Sequence, residues 1–248
     1  MALLKLNFYS HKLGMATNVN VLFPEQATDD DLQLVYLLHG LSDDSNAWLN
    51  NSSVARYIMG KPIVVVMPEV GRSFYHDIGE GANYYSYLSE ELPAQVAYFL
   101  NRTIPAERTH VMGLSMGGFG ALKWGLNQAE KFATVVSFSG AMYLDELWKN
   151  DSGRNTEFTR LFGKSENIPL SINDLEHTYC HAEKVNPQLV VRQYCGDLDF
   201  LYAYNRKLEA FAQSRSLDYR FSLGIGENHT WSYWDKSLEK TLGELFNK

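Results

Sequence analysis

The pentapeptide Gly113-Leu-Ser-Met-Gly117 has the spacing G-x-S-x-G and stands between a short apolar run and a stretch with helical character. In such a place the serine occupies a tight strand-to-helix turn, and the flanking glycines let the chain pass close by. The turn would present the hydroxyl of Ser115 beside the N–H groups of a helix start, which face a developing oxyanion. The spacing therefore predicts a nucleophile for acyl transfer. The alternative is a glycine-rich turn in which Ser115 only caps a helix.

An activated serine needs a general base and an acidic group that orients the base. For a serine on a strand-to-helix turn, the order along the chain is Ser, then Asp or Glu, then His. Only His229 follows residue 181, and it lies between a predicted strand and the last predicted helix. Asp197 and Asp199 follow another predicted strand. We favour Asp199 because it lies where the loop turns into a helix, and Asp197 is the alternative; the other aspartate would cap a helix or form a turn.

A second oxyanion donor is expected in the loop after an earlier strand. His39-Gly40-Leu41 closes the apolar run over residues 34–38, and Gly40 lets the backbone turn. The N–H groups of Leu41 and Met116 are the predicted oxyanion hole. His39 is interpreted as structural, because it precedes the serine in the chain. The candidate substrate-contacting residues are Gly40, Trp48 and Trp231.

Other reactive side chains have weaker patterns. His177 and His181 are four residues apart and could share a helix face as metal ligands, but no third ligand motif accompanies them, so a solvated face is favoured. Neither a metal nor an organic cofactor is predicted, and the glycine motifs that bind phosphate are absent. The adjacent His76 and Asp77 resemble a local catalytic dyad, but they precede the serine in the chain and are therefore not favoured as catalytic residues. Cys195 beside the acid loop is interpreted as a buried structural thiol, with a redox switch as the alternative.

The elements that must position these residues follow from hydrophobic periodicity. Alternating residues near the N-terminus predict an antiparallel hairpin with a turn near Gly14. Strand and helix then alternate from residue 33 to the end, which predicts a mostly parallel sheet with helices on both faces, in one domain over 1–248. Helices are predicted over 47–59, 88–100, 117–126, 202–213 and 231–246. Residues 141–187 interrupt the alternation and are interpreted as a cap-like insertion.

Composition excludes several classes of protein. The 248 residues carry 22 Lys and Arg against 29 Asp and Glu, a formal net charge of −7. This balance disfavours a nucleic-acid partner, because phosphate binding needs clustered basic side chains. The longest apolar run, over residues 63–67, is too short to cross a bilayer. Two cysteines and the lack of a signal-peptide pattern in the first nine residues predict a cytoplasmic protein.

The motifs together resemble the esterase D family of α/β-hydrolases. They are Leu38-His-Gly-Leu41 with Trp48, Tyr87-Leu-Ser-Glu-Glu-Leu-Pro93, Gly113-Leu-Ser-Met-Gly-Gly118, Cys195-Gly-Asp-Leu-Asp-Phe-Leu-Tyr202 and Gly226-x-x-His-x-Trp231. Within that family the chain is most similar to bacterial tributyrin esterases, beside S-formylglutathione hydrolases and feruloyl-type esterases. The resemblance implies the α/β-hydrolase fold and a carboxylesterase acting on short-chain acyl esters. It implies Ser115, Asp199 and His229 as the triad and Leu41 and Met116 as oxyanion donors.

Several functions stay open beside the carboxylesterase. A thioesterase of the S-formylglutathione type, a feruloyl or acetyl esterase, and an acyltransferase would use the same serine chemistry. A non-catalytic binding scaffold is disfavoured, because all three triad positions are filled. The expected partner is a small-molecule ester, and the chain could also form a homo-oligomer.

Overall fold

The computed structural model describes residues 1–25, 31–79 and 81–246. Within these residues eight strands form a single sheet. The strands are β1 (Ala2–Ser10), β2 (Met15–Phe23), β3 (Gln33–Leu38), β4 (Ile63–Pro68), β5 (Thr109–Leu114), β6 (Thr134–Phe138), β7 (Val190–Gly196) and β8 (Asp218–Gly224). The α-helices are α1 (Ala47–Asn51), α2 (Val54–Tyr57), α3 (Tyr84–Ser86), α4 (Leu92–Leu100), α5 (Met116–Asn127), α6 (Leu144–Asn150), α7 (Asn155–Phe162), α8 (Leu175–Val185), α9 (Tyr202–Ala212) and α10 (Trp231–Phe246).

The order of strands across the sheet is β1-β2-β4-β3-β5-β6-β7-β8. The first two strands form an antiparallel hairpin, and β2 also pairs antiparallel with β4. All other pairs in the sheet are parallel. Gly14 closes the hairpin turn with φ +65, a left-handed conformation that glycine adopts without strain. The predicted fold class, a mostly parallel sheet with an N-terminal antiparallel hairpin, is confirmed.

Helices cover both faces of the sheet, because β3 to β6 carry apolar residues on both. Val35, Met112 and Val136 point to a core that they share with α1, α2 and α10. The neighbouring residues along the same strands, such as Tyr36 and Val111, point to the larger core beneath α4, α5, α8 and α9. Successive side chains of a strand alternate between faces, so continuous apolar runs such as Ile63-Val-Val-Val-Met67 need cover on both sides.

The predicted helix over 47–59 is two short helices, α1 and α2, separated at Ser52 and Ser53. The hydroxyl of Ser52 donates to the carbonyl of Trp48, and the N–H of Ser53 donates to Asp235 of α10 at 2.8 Å. Serine hydroxyls compete with the regular helix bonds in this way, and the contact to α10 fixes the break.

The predicted helix over 88–100 begins earlier and changes its winding before Pro93. A π-helical turn, Tyr87–Glu91, links α3 to α4, and the N–H of Leu92 donates to the carbonyl of Tyr87. Proline has no N–H to give the carbonyl of Ser89 and would clash with it in a regular helix. The Nζ of Lys131 donates to that carbonyl instead, at 3.3 Å. The wide turn thus ends where α4 begins, and Pro93 lies in the first turn of α4, where a proline is tolerated.

The interruption over 141–187 contains three α-helices, α6, α7 and α8, and two short 3₁₀ turns between β6 and β7. Asp174 caps the N-terminus of helix α8, and its carboxylate accepts from the N–H groups of Glu176 and His177. It packs against α5 and serves as the crossover between the two strands, so α6 and α7 are the additional elements. Whether they form a cap stays a prediction. Within the described ranges no helix is long and apolar enough to span a membrane.

Candidate active site

Ser115 stands alone between the last residue of β5 and the first residue of α5. Its backbone has φ +52 and ψ −116, a conformation that is strained for any residue other than glycine. Neighbouring chain segments hold it there: the N–H of Ser115 donates to Phe138 at 2.9 Å, and its carbonyl accepts from Ala141 at 3.1 Å. The strained strand-to-helix turn expected from the spacing is present.

The glycines on either side of Ser115 are required by close backbone contacts. A Cβ atom on Gly113 would lie 2.3 Å from the carbonyl oxygen of Gly117. A Cβ atom on Gly117 would lie 2.5 Å from the carbonyl oxygen of Leu38, at the end of β3. Contacts below 3.0 Å demand movement of the backbone, so the turn and the end of β3 can approach each other only with glycine at both places.

His229 lies between Ser115 and Asp199, which are far from it in sequence. Its Nε2 is 3.0 Å from the Oγ of Ser115, and its Nδ1 is 2.9 Å from one oxygen of Asp199 and 3.0 Å from the other. A carboxylate beside Nδ1 favours the tautomer that carries its proton there, which leaves Nε2 to accept the serine proton. The structure therefore brings together the three side chains in the order that a serine hydrolase requires.

Of the two aspartates, Asp199 is the one that contacts His229. Its side chain is fully buried, and one oxygen also accepts from the N–H of Leu201 at 2.8 Å. Asp197 instead accepts from the N–H of Gly226 at 2.7 Å and joins the loop after β7 to the loop after β8. The geometry thus agrees with the preferred aspartate, and Asp197 forms a turn.

A cavity of about 520 Å³ opens above Ser115 at the carboxyl end of the parallel strands. Leu41 and Met116 both line it, as do Gly40 and Trp231. Helix α5 begins at Met116, so its first N–H has no acceptor within the helix. The carboxyl end of the strands is where open α/β sheets bind ligands, and the predicted oxyanion donors thus stand beside the serine.

Trp48, which was expected to contact substrate, does not line this cavity. It is buried in the core with its indole N–H donating to the carbonyl of Leu38 at 3.0 Å. Its ring meets Trp231 edge to face, with ring centres 5.0 Å apart. Trp48 therefore supports Trp231, which lines the cavity. It contacts both the end of β3, at Leu38, and the start of α10, at Trp231.

Phe200, Phe74 and Arg154 are among the lining residues that the sequence did not single out. Phe200 follows Asp199, and its ring centre lies 4.6 Å from that of His229, so its place beside the acid was an available signal. Phe74 and Arg154 reach the cavity from distant loops. Nothing in their local sequence marks them, because only the tertiary fold brings those loops to the serine.

His39 is buried and bonded at both ring nitrogens, which agrees with a structural role. Its Nε2 accepts from the N–H of Val70 at 3.1 Å, so Nδ1 carries the proton and donates to the carbonyl of Gly40 at 2.8 Å. Cys195 is also buried, and burial together with the charge of Asp199 raises the pKa of its thiol well above the usual range. The protonated thiol agrees with a structural role for Cys195.

The remaining reactive side chains lie outside the cavity. His177 and His181 line a separate groove along α8 together with Cys180. In the described part of the chain no three His, Cys, Asp or Glu side chains are arranged to hold a metal ion. Burial lowers the pKa of His76 to about 4, and the carboxylate of Asp77 accepts from Ser86.

Comparisons with known proteins show which family the chain belongs to. The model of the Esterase family, described as "Putative esterase", matches residues 10–245. An acetyl esterase of Caldicellulosiruptor saccharolyticus is 26% identical over an alignment of 258 positions that covers 96% of each chain. An S-formylglutathione hydrolase from Staphylococcus aureus is 27% identical with a TM-score of 0.85, covering 98% of both chains. A fluorophosphonate-binding serine hydrolase of the same organism is 26% identical with a TM-score of 0.88, covering 98% of this chain and 97% of its own. The chain therefore belongs to the Esterase family, and it is a serine esterase with the α/β-hydrolase fold.

Proposed function

We propose that Ser115 is the nucleophile, His229 the general base and Asp199 the residue that orients the base. The observation that supports this assignment is the unbroken row of hydrogen bonds from the buried carboxylate through the imidazole to the serine Oγ. The carboxylate holds the tautomer of the imidazole and stabilises the imidazolium that forms, without taking the proton itself.

The reaction follows from this arrangement. The Oγ of Ser115 attacks the acyl carbonyl while its proton passes to the Nε2 of His229. The carbonyl oxygen becomes an oxyanion between the N–H groups of Leu41 and Met116. The intermediate collapses to an acyl-enzyme, and His229 returns the proton to the leaving alcohol. Water then attacks the acyl group by the same path and releases the acid, so no cofactor enters the reaction.

Short acyl esters are the proposed substrates. Large aromatic side chains, among them Phe74 and Trp231, line the same cavity as the serine, and the similar acetyl esterase acts on a short acyl group by its name. Gly40 belongs to the same lining, and a Cβ atom there would lie 2.7 Å from the side chain of Leu114.

A thioester substrate is the second candidate, and it is favoured by the likeness to an S-formylglutathione hydrolase. Arg154 brings a guanidinium to the cavity lining. Its Nε lies 3.0 Å from a carboxylate oxygen of Asp151, which is itself half exposed. The leaving group of S-formylglutathione is a peptide thiol that bears carboxylates. The guanidinium of Arg154 in the cavity lining would attract these carboxylates.

Replacement of the serine tests the central assignment. In Ser115→Ala we expect hydrolysis of p-nitrophenyl acetate and butyrate to fall by about 10⁴-fold or more, because the nucleophile is lost. Ser214→Ala, which removes a hydroxyl at the exposed end of α9, is the matched control and should retain wild-type rates. A fluorophosphonate probe should label the wild type and the control but not Ser115→Ala. Hydrolysis by Ser115→Ala near the wild-type rate would refute the assignment.

Rates on S-formylglutathione and p-nitrophenyl butyrate, measured side by side, separate the ester from the thioester candidate. A higher kcat/KM for the thioester would make the second candidate the better description.

The two free cysteines support the predicted cytoplasmic location. The net charge supports a small-molecule partner over nucleic acid, and a homo-oligomer would be detected by sedimentation.

A further inference from the structure

Lys123 lies about two turns along α5 from Ser115, and its side chain is fully buried. Its Nζ donates to the main-chain carbonyl of Tyr75 at 2.6 Å and stands 4.8 Å from the ring centre of Tyr85. Burial lowers the pKa of this amine to about 7, against the opposing charge of Asp77. Lysine is almost never fully buried unless its head group is paired. The bond from Lys123 therefore ties the backbone of Tyr75 to α5.

The segment that receives this bond is strained. Phe74 and Tyr75 have φ +47 and φ +52, two consecutive left-handed residues that are not glycine. Such conformations persist only where the surroundings hold them. The ring of Tyr75 packs on α5 at Gly120, where a Cβ atom would lie 2.4 Å from it. Phe74 thereby reaches the cavity above the serine, since its neighbour is fixed both by a bond and by packing.

From Tyr75 the contacts continue to the proposed oxyanion loop. The hydroxyl of Tyr75 donates to the carbonyl of His39 at 2.9 Å. The ring of His39 in turn donates to the carbonyl of Gly40 at 2.8 Å. A trans peptide is planar, and its N–H points opposite to its carbonyl. Fixing the Gly40 carbonyl therefore fixes the direction of the N–H of Leu41.

We propose that Lys123 and Tyr75 are positioning residues, which hold the Gly40–Leu41 peptide in the orientation that stabilises the oxyanion formed at Ser115. Neither residue touches the reacting atoms. They act through a row of contacts. Lys123 Nζ donates to the Tyr75 carbonyl, the Tyr75 hydroxyl donates to the His39 carbonyl, and the ring of His39 donates to the Gly40 carbonyl. The inference rests on the proposed function and gives a role to a buried amine that the triad does not use.

Tyr75→Phe is the sharpest variant, because it removes one hydroxyl and keeps the ring on Gly120. With p-nitrophenyl acetate we expect kcat to fall about 10-fold and KM to stay within about two-fold, since the transition state alone loses stabilisation. The matched control is Tyr98→Phe, whose side chain is 78% exposed, and it should match the wild type. A Tyr75→Phe enzyme with unchanged kcat, or with a raised KM and unchanged kcat, would overturn the proposal.

A trifluoromethyl ketone gives a second readout that a merely structural role would not move. The Oγ of Ser115 adds to the ketone carbon, and its proton passes to His229. The π electrons of the carbonyl move to its oxygen, which becomes an oxyanion in the same place as in the ester reaction. Inhibition by this ketone should weaken about 10-fold in Tyr75→Phe, in step with kcat. Equal inhibition of wild type and variant would show that the oxyanion hole is unaffected and would contradict the inference.

The link between the two residues is tested by combining them. Lys123→Met should lower kcat with little change in KM, and the double variant should be no slower than the slower single variant, because both act on one loop. Strictly additive losses would refute the shared path. If Lys123→Met does not fold, Tyr75→Phe decides the matter alone. Ser115→Ala separates the two proposals: if it abolishes activity while Tyr75→Phe matches the wild type, only this inference fails.

Discussion

The α-carbon of Gly196 lies so close to Glu227 that a Cβ atom there would be 2.1 Å from the carbonyl oxygen of Glu227. This contact joins the end of β7, which leads into the Asp199 loop, to the loop that carries His229. The N–H of Leu198 donates to the same carbonyl at 3.1 Å. The acid and the base are thus held together by main chain as well as by their own hydrogen bonds.

Gly196→Ala should therefore separate the Asp199 and His229 loops. The methyl group meets backbone and not a flexible side chain, so the loops must move apart and the Asp199–His229 distance must grow. We expect kcat/KM for p-nitrophenyl butyrate to fall by about 10²-fold and the melting temperature to drop. Gly153→Ala is the control, because its methyl group meets only the exposed side chain of Asp151. Wild-type activity in Gly196→Ala would contradict the role of this contact.

The two aspartates of the acid loop should respond differently to loss of charge. Asp199→Asn loses the negative charge that stabilises the imidazolium and can turn its amide N–H groups toward Nδ1, which favours the wrong tautomer of His229, so kcat should fall by about 10³–10⁴-fold. Asp197→Asn keeps an oxygen for the N–H of Gly226 and should stay within about three-fold of the wild type. Steady-state kinetics on p-nitrophenyl acetate check both variants. A larger loss in Asp197→Asn would reverse the assignment.

Stability should depend on pH through His110. Burial lowers the pKa of His110 to about 4 from an ordinary value of 6.5, so the unfolded chain binds the proton more tightly. The stability that this histidine contributes is complete above about pH 6.5 and is lost as the pH falls toward 4. Between about pH 7 and about pH 4.5 we expect the wild type to lose on the order of 1–3 kcal/mol more unfolding free energy than His110→Gln. Urea unfolding at both pH values measures this, with the exposed His181→Gln as control. Equal losses in wild type and His110→Gln would refute the expectation.

Arg154 should influence the choice between ester and thioester. Arg154→Met keeps an apolar stem and removes the cation, so kcat/KM for S-formylglutathione should fall about 10-fold while that for p-nitrophenyl acetate stays within about two-fold. The loss should shrink at high ionic strength, because salt screens the attraction in the wild type. Arg160→Met, an exposed arginine of α7, is the matched control. Equal losses of kcat/KM on both substrates would show that the guanidinium does not contribute to selectivity.

Much of the fold and part of the site could be predicted because their signals are local. Apolar runs such as Ile63-Val-Val-Val-Met67 predicted strands buried on both faces, and the structure confirms them. The G-x-S-x-G spacing predicted a strained turn at Ser115, since two glycines are needed where backbones nearly touch. Chain order and the place between a strand and the last helix pointed to His229, and the structure puts its Nε2 3.0 Å from the Oγ of Ser115. Each of these inferences needs only neighbouring residues and the period of a strand or helix.

Other features depend on contacts between segments far apart in the chain. The break between α1 and α2 is fixed by Asp235 of α10, and the π-helical turn before Pro93 is stabilised by Lys131. Neither partner can be identified from the segment it affects. Trp48 was expected at the substrate and lies instead beneath Trp231, because an apolar ring has the same sequence signature in a core as in a cavity wall.

Residue types and their spacing were enough to specify the strand-to-helix serine, the late histidine and a short choice between two aspartates. Which aspartate reaches His229 follows instead from the way the loops after β7 and β8 pack together. The same long-range packing determines which wall residues stand over the serine and why Lys123 is buried. Local spacing determines which chemistry a residue can perform, whereas distances between side chains arise only when the strands assemble into the sheet and its loops pack against one another.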